Sequence, residues 1–105
     1  MTGPLRDISE LDRVIHEPAR LLLMALLSPV DSADFLFLLK ESRLTKGNLS
    51  VHLSRLEEAG YLTVKKTFRG KIPHTEFRLT PKGRSAFDQY RKQLGTIMDA
   101  KRGKG

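Results

Sequence analysis

The sequence predicts an α+β fold that is mostly α, with a three-helix core, a β-hairpin beside it and a long C-terminal helix. Three observations carry this prediction. Between Leu44 and Tyr61, the run LTKGNLSVHLSRLEEAGY repeats apolar residues at spacings of 4 and 3, bounded by helix-end signals. After Gly60 the hydrophobic period falls from 3.6 to 2, the mark of strands. At Thr80-Pro81 an N-cap and first-turn pair restores the helical period. A chain of 105 residues fits a single domain of this kind. Its expected divisions are an arm and helix over 1–17, a core over 18–80, a terminal helix over 81–100 and a basic tail over 101–105.

In the arm, Ser9 with Asp12 gives a start like a capping box, and Leu11, Val14 and Ile15 form a small apolar face. Pro18 forces Glu17 out of helical geometry and suits the first turn of a helix running to about Ser28. Because Leu21 to Leu27 is apolar nearly all round, this helix is expected at the centre of the core. Pro29, Asp31 and Ser32 end it, and Asp34 can cap the next, Phe35 to Ser42. Phe35, Leu38 and Leu39 form the inner face of that helix. Leu36 and Phe37 point outward, to be covered by the arm or by a second subunit or partner.

A turn of very few residues leads to the helix over 46–59. Thr45 caps its free N–H groups, Leu44 and Leu49 occupy hydrophobic staple positions, and Gly60 suits the left-handed residue that ends it, with Tyr61 placed against Leu56. Leu49, Leu53 and Leu56 make the buried stripe. Gly47, Val51, Ser54, Arg55 and Glu58 lie opposite, flanked by Asn48 and Ser50. Small side chains there let the backbone approach another surface closely, as entry into a DNA major groove requires. Two amphipathic helices joined by so short a turn form a helix-turn-helix, whose second helix enters the groove.

In the hairpin, Leu62, Val64 and Lys66 alternate with Thr63, Lys65 and Thr67, and the pattern resumes at Thr75, Phe77 and Leu79 beyond a loop from Arg69 to Pro73. Its base is apolar and its tip basic. In the terminal helix, Phe87, Tyr90, Leu94 and Ile97 recur at 3, 4 and 3, the seam of a short coiled coil, and predict a symmetric homodimer.

The net charge is +7, unevenly placed. Met1 to Leu44 carries 5 Lys or Arg against 7 Asp or Glu, a net of −2, whereas Thr45 to Gly105 carries 14 against 5, a net of +9. The basic half begins where the 46–59 helix begins, and a localised basic patch attracts polyanions.

This sequence of motifs, LTKGNLSVHLSRLEEAGYL, a basic hairpin and then LTPKGR, resembles the winged helix-turn-helix regulators of the MarR and ArsR type, over about residues 16 to 90. The resemblance implies a transcriptional regulator that binds double-stranded DNA in the cytoplasm. Lys46, Asn48, Ser50, Val51, Ser54 and Arg55 would read the major groove. The hairpin would be the wing, over 65–78, with Lys65, Arg69 and Lys71 on the backbone or minor groove and Lys66 and Arg78 as further candidates. Edge-strand protection is the alternative role of those charges. Two rivals remain, a winged-helix protein-interaction module and an architectural binder without sequence preference.

Other chemistry finds little support in the sequence. The absence of cysteine excludes disulfides and thiolate metal sites, and no apolar run approaches the ~20 residues of a membrane span. His16, His52 and His74 fall on different elements without ligand spacing, so no metal or other cofactor is expected. His52, at the edge of the buried stripe, would be half-packed or touch a phosphate. No phosphate loop or nucleophile motif suggests an enzyme. MarR-type proteins hold small-molecule effectors between extra helices and the winged domain, so the resemblance leaves a small-molecule effector open, without support from this sequence.

Overall fold

Pro18 sets the start of the first core helix as its chemistry requires. Glu17 before it is extended (φ −153°, ψ 130°), and its carboxylate accepts the Arg20 N–H at 2.8 Å, making Glu17 the N-cap. The structure, a computed structural model, describes residues 10–102. The elements are α1 (Pro18–Leu27), β1 (Ala33–Asp34), α2 (Phe35–Ser42), α3 (Lys46–Glu58), β2 (Leu62–Arg69), β3 (Ile72–Leu79) and α4 (Pro81–Arg102). None of these helices is long and apolar enough to cross a membrane.

The arm departs from expectation. Residues 10–17 form turns rather than a helix, and the predicted start at Ser9 lies outside the described residues. Asp12 organises the turn, since its Oδ1 accepts the Val14 and Ile15 N–H groups at 2.8 and 3.2 Å while its carbonyl accepts that of His16 at 2.7 Å. Leu11 and Ile15 are buried, as their spacing predicts.

The core gathers Leu23, Met24 and Leu27 of α1, Leu38 of α2, Leu49, Leu53 and Leu56 of α3, and Leu62, Phe77 and Leu79 of the sheet. Helix α1 is not enclosed all round: Leu22 and Ala25 face outward. On α2, Asp34 caps the Phe37 N–H at 2.7 Å, and Leu36 and Phe37 stay exposed, uncovered by the described part of the arm.

The sheet has three antiparallel strands in the order β1-β3-β2. Strand β1 is unanticipated; Ala33 pairs with Phe77 and Asp34 with Glu76. In the hairpin, Arg69 pairs with Ile72, so the expected five-residue loop shrinks to Gly70 and Lys71. Gly70 has φ +64° at the first turn position, where a two-residue hairpin favours glycine. Pro73 stays in the strand opposite Phe68, one place from the closing pair, where the ladder needs no N–H.

The LTPKG segment joins the end of α3 to the start of α4. Thr80 Oγ1 accepts the Gly83 N–H at 2.9 Å and donates to the Gly60 carbonyl at 2.6 Å, and the Thr80 N–H donates to the Tyr61 carbonyl at 3.0 Å. Gly83 packs directly on that carbonyl; a Cβ there would lie 2.1 Å from Tyr61 O. Arg84 ties α4 to the end of α1, donating to the Ser28 and Val30 carbonyls at 2.8 and 3.0 Å.

Helix α4 runs to Arg102, so Lys101 and Arg102 of the expected tail are helical, while 103–105 lie outside the described residues. Phe87, Tyr90 and Ile97 are buried within this chain, and Leu94 packs partly against the same core. Three of the four seam residues therefore dock α4 onto its own domain. The Tyr90 hydroxyl meets His16 Nδ1 at 2.7 Å.

Tyr61 links the arm to the same junction through a hydrogen bond from its hydroxyl to Asp12 Oδ2. Burial, that bond and the nearby carboxylate charge raise its pKa to about 12, from an ordinary 10.0. Because the unfolded chain ionises first, this contribution to stability is complete below pH 10 and disappears as pH climbs towards 12. Urea midpoints measured from pH 8 to 12 should therefore fall more steeply for the wild type than for Tyr61→Phe. Parallel curves would dissociate Tyr61 ionisation from the arm's docking.

Candidate nucleic-acid interface

Helix α3 is positioned from both ends. Thr45 Oγ1 accepts the Asn48 N–H at 3.1 Å, as its place before Lys46 predicts. At the far end Gly60 has φ +81°, the Gly60 N–H reaches the Glu57 carbonyl at 2.9 Å and the Tyr61 N–H reaches Leu56 at 3.0 Å. These two bonds are a Schellman cap. Leu49, Leu53 and Leu56 are buried, which leaves one face of the helix to solvent.

On that face Lys46, Asn48, Ser50, Val51, Ser54 and Arg55 are all exposed. Nothing lies within 4 Å of the place a Cβ on Gly47 would occupy. Val51 stands out, being a β-branched apolar side chain that remains 55% exposed amid polar neighbours. An apolar group there is suited to contact with a thymine methyl.

The wing stands beside this face. Ser50, Ser54 and Glu57 of α3 share a groove with Val64, Lys66 and Thr75 of the hairpin, above Phe35. Strand alternation thus turns Lys66 towards α3. Lys65 faces the other side, where it pairs in register with Glu76 and lines a hollow with Thr63 and Arg78. Of the wing cations expected to accompany the reading helix, Lys66 is brought to it and Lys65 is not. Arg69 and Lys71 are exposed at the tip, flanking Gly70.

Sequence reasoning missed a basic hollow at the other flank of α3. Arg55 lines it together with Arg13, Arg20 and Glu58. Arg20 is held there by two bonds, from Nε to the Val14 carbonyl at 2.6 Å and from Nη1 to His52 Nδ1 at 3.2 Å. The Glu17 carboxylate lies 3.9 Å from the same His52 nitrogen. His52 is half-buried and packs in this manner rather than standing free on the helix face. Periodicity identifies the outward face of α3 but not which distant arginines fold against it.

Among the described residues no group of three or more His, Cys, Asp or Glu side chains is placed to hold a metal. Ser50 and Ser54 of α3 thus face the wing, whereas Arg55 faces the hollow of Arg13 and Arg20 on the other flank.

Comparison with known proteins identifies the family and the fold. Residues 19–98 match the family described as winged helix DNA-binding domain. An uncharacterised protein of Methanocaldococcus jannaschii is 35% identical over 79 residues, covering 74% of this chain and 85% of that one. The structure of a transcriptional regulator homologue from Pyrococcus horikoshii OT3 superposes with a TM-score of 0.83 at 28% identity, covering 91% and 94% of the two chains. A MarR-family regulator from Enterococcus faecalis V583 shares the fold, with a TM-score of 0.73 at 20% identity over 100% and 96%. The chain belongs to the winged helix DNA-binding domain family and carries the fold of the MarR-type transcriptional regulators.

Proposed function

We propose that this protein is a dimeric transcriptional regulator that recognises a specific double-stranded DNA sequence, with α3 in the major groove and the wing on the backbone and minor groove. The observation that carries this reading is the slim, exposed face of α3 standing in a shared groove with the basic wing. Asn48 and Arg55 have the side chains suited to bidentate contacts with adenine and guanine, each contributing about 1–3 kcal/mol of discrimination. Lys46, Ser50, Val51 and Ser54 complete the reading set. Arg69, Lys71 and Lys66 bind phosphate or line the minor groove, and Lys65 serves as a peripheral cation.

The dimer forms through α4. Phe87, Tyr90 and Ile97 set the direction of the helix from within the chain, and part-buried Leu94 with exposed Met98 meets the second copy. The setting of this regulator is the cytoplasm.

Selection of bound duplexes from a randomised library at about 150 mM salt, where non-specific binding is weak, tests the reading as a whole. An enriched inverted repeat with half-site centres about 10 base pairs apart is expected. Binding without enrichment would indicate an architectural protein. No binding at lowered salt would turn attention to a protein contact through exposed Leu36 and Phe37.

Within the interface, Arg55→Ala should relax base preference at one position of each half-site. Lys71→Ala should instead weaken all sequences alike and reduce the salt slope by about one per subunit. Titrations over a salt series on matched and single-mismatch duplexes separate the two. A uniform loss for Arg55→Ala would place Arg55 with Arg13 and Arg20 as a phosphate clamp.

A further inference from the structure

Charge does not account for the tip of the wing. Phe68 and Ile72 remain 72% and 70% exposed, and they bracket the two-residue turn from opposite strands. They also lie on opposite faces of the ribbon, because Phe68 pairs with Pro73 and Ile72 with Arg69. An apolar patch on one face would suit a flat partner. Apolar groups on both faces suit a slot that encloses the tip from two sides.

The dimensions and charges define that slot. Phe68 lies four residues beyond Val64, the last β2 side chain packed on the core, so the tip projects by about 13 Å. Exposed Arg69 and Lys71 lie at the tip between the apolar pair, matching a cleft with anionic rims. A DNA minor groove has such rims but is only about 6 Å wide, less than the thickness of roughly 10 Å of a ribbon carrying side chains on both faces. Entry therefore requires that the groove be opened.

We propose that Phe68 and Ile72 form an apolar wedge that the wing presses into the minor groove, partly unstacking a base step and bending the duplex towards the major groove. This rests on the DNA-binding reading above and adds a deformation to it. Basic residues draw the wing to the phosphates, and the wedge favours steps that unstack easily, such as TA and CA/TG. The protein thereby senses sequence at positions where no side chain reads a base edge.

The test uses the full chain on its selected duplex, with the bend measured by energy transfer between the duplex ends and unstacking by 2-aminopurine placed in turn at each step beneath the wing. The wild type should bend the duplex within the range of about 20–90° and brighten 2-aminopurine at one step per half-site. Phe68→Ser combined with Ile72→Ser should lose the brightening and at least about half of the bend, with the salt slope unchanged because the cations remain. Phe68→Leu, still apolar, should retain both signals. High exposure of both positions keeps the variants folded, which circular dichroism verifies. Tight binding by the wild type to a straight duplex, or an equal bend in the serine double variant, overturns the wedge and leaves the regulator standing. Failure of the wild type to bind any duplex overturns both.

Discussion

Gly83→Ala should lower the unfolding free energy by about 3 kcal/mol or more, at the upper end of overpacking costs. The direction is informative, because alanine in a helix interior is ordinarily better than glycine by about 1 kcal/mol. Here a Cβ would lie 2.1 Å from the Tyr61 carbonyl oxygen and 2.9 Å from its carbon. Those atoms are backbone, fixed by the Schellman cap of α3, and cannot swing aside. To make room, α4 must move off the Gly60-Tyr61 corner and give up the Thr80 bonds to both carbonyls. Gly95, in the same helix with nothing within 4 Å of a Cβ, provides the opposite case, and Gly95→Ala should stabilise by up to about 1 kcal/mol. Urea unfolding of the two variants beside the wild type measures both. A Gly83→Ala protein as stable as its parent would show that α4 does not approach Tyr61 this closely.

Val51→Glu is expected to abolish measurable specific DNA binding, with a loss of at least 100-fold. It places a carboxylate at the centre of the proposed reading face, where like-charge juxtaposition costs several kcal/mol. The fold should not suffer, because Val51 is 55% exposed and glutamate is a better helix former than valine. Val51→Ala, removing only the methyls, should reduce preference for thymine at one position. Fluorescence anisotropy with the selected duplex, beside a thermal melt of each protein, distinguishes lost binding from lost structure. Unchanged affinity in Val51→Glu would remove the outward face of α3 from the interface.

Helix α3 was legible because its signals are local. Thr45, Gly60 and the three-leucine stripe lie within one short stretch, and each acts on backbone groups a few residues away. The wing was legible in period but not in its turn: Pro73 suggested a loop, whereas its missing N–H falls where the ladder needs none. Strand β1 had no signature, being two residues whose partners, Phe77 and Glu76, lie far along the chain. The basic hollow of Arg13, Arg20 and Arg55 escaped for the same reason. In α4, periodicity identified which side chains are apolar but not what covers them. Phe87, Tyr90 and Ile97 fit a seam between copies equally well on paper, yet this chain buries them itself. Gly83 could be recognised only once Tyr61 was in place, since a close approach between two backbones leaves no pattern in either segment alone.

The contact between Gly60, Tyr61, Thr80 and Gly83 also has a mechanical meaning. Thr80 and the contact of Gly83 on Tyr61 join the start of α4 to the end of α3, so that corner would be the pivot of any tilt of α4, which Arg84 and buried Phe87, Tyr90 and Ile97 oppose. Helix α4 has 22 residues and so an arm of about 33 Å, over which a displacement of about 6 Å at its far end corresponds to a tilt of about 10° at the pivot. A force applied near Asp99 would thus reach α3 as a small rotation at the Tyr61 corner.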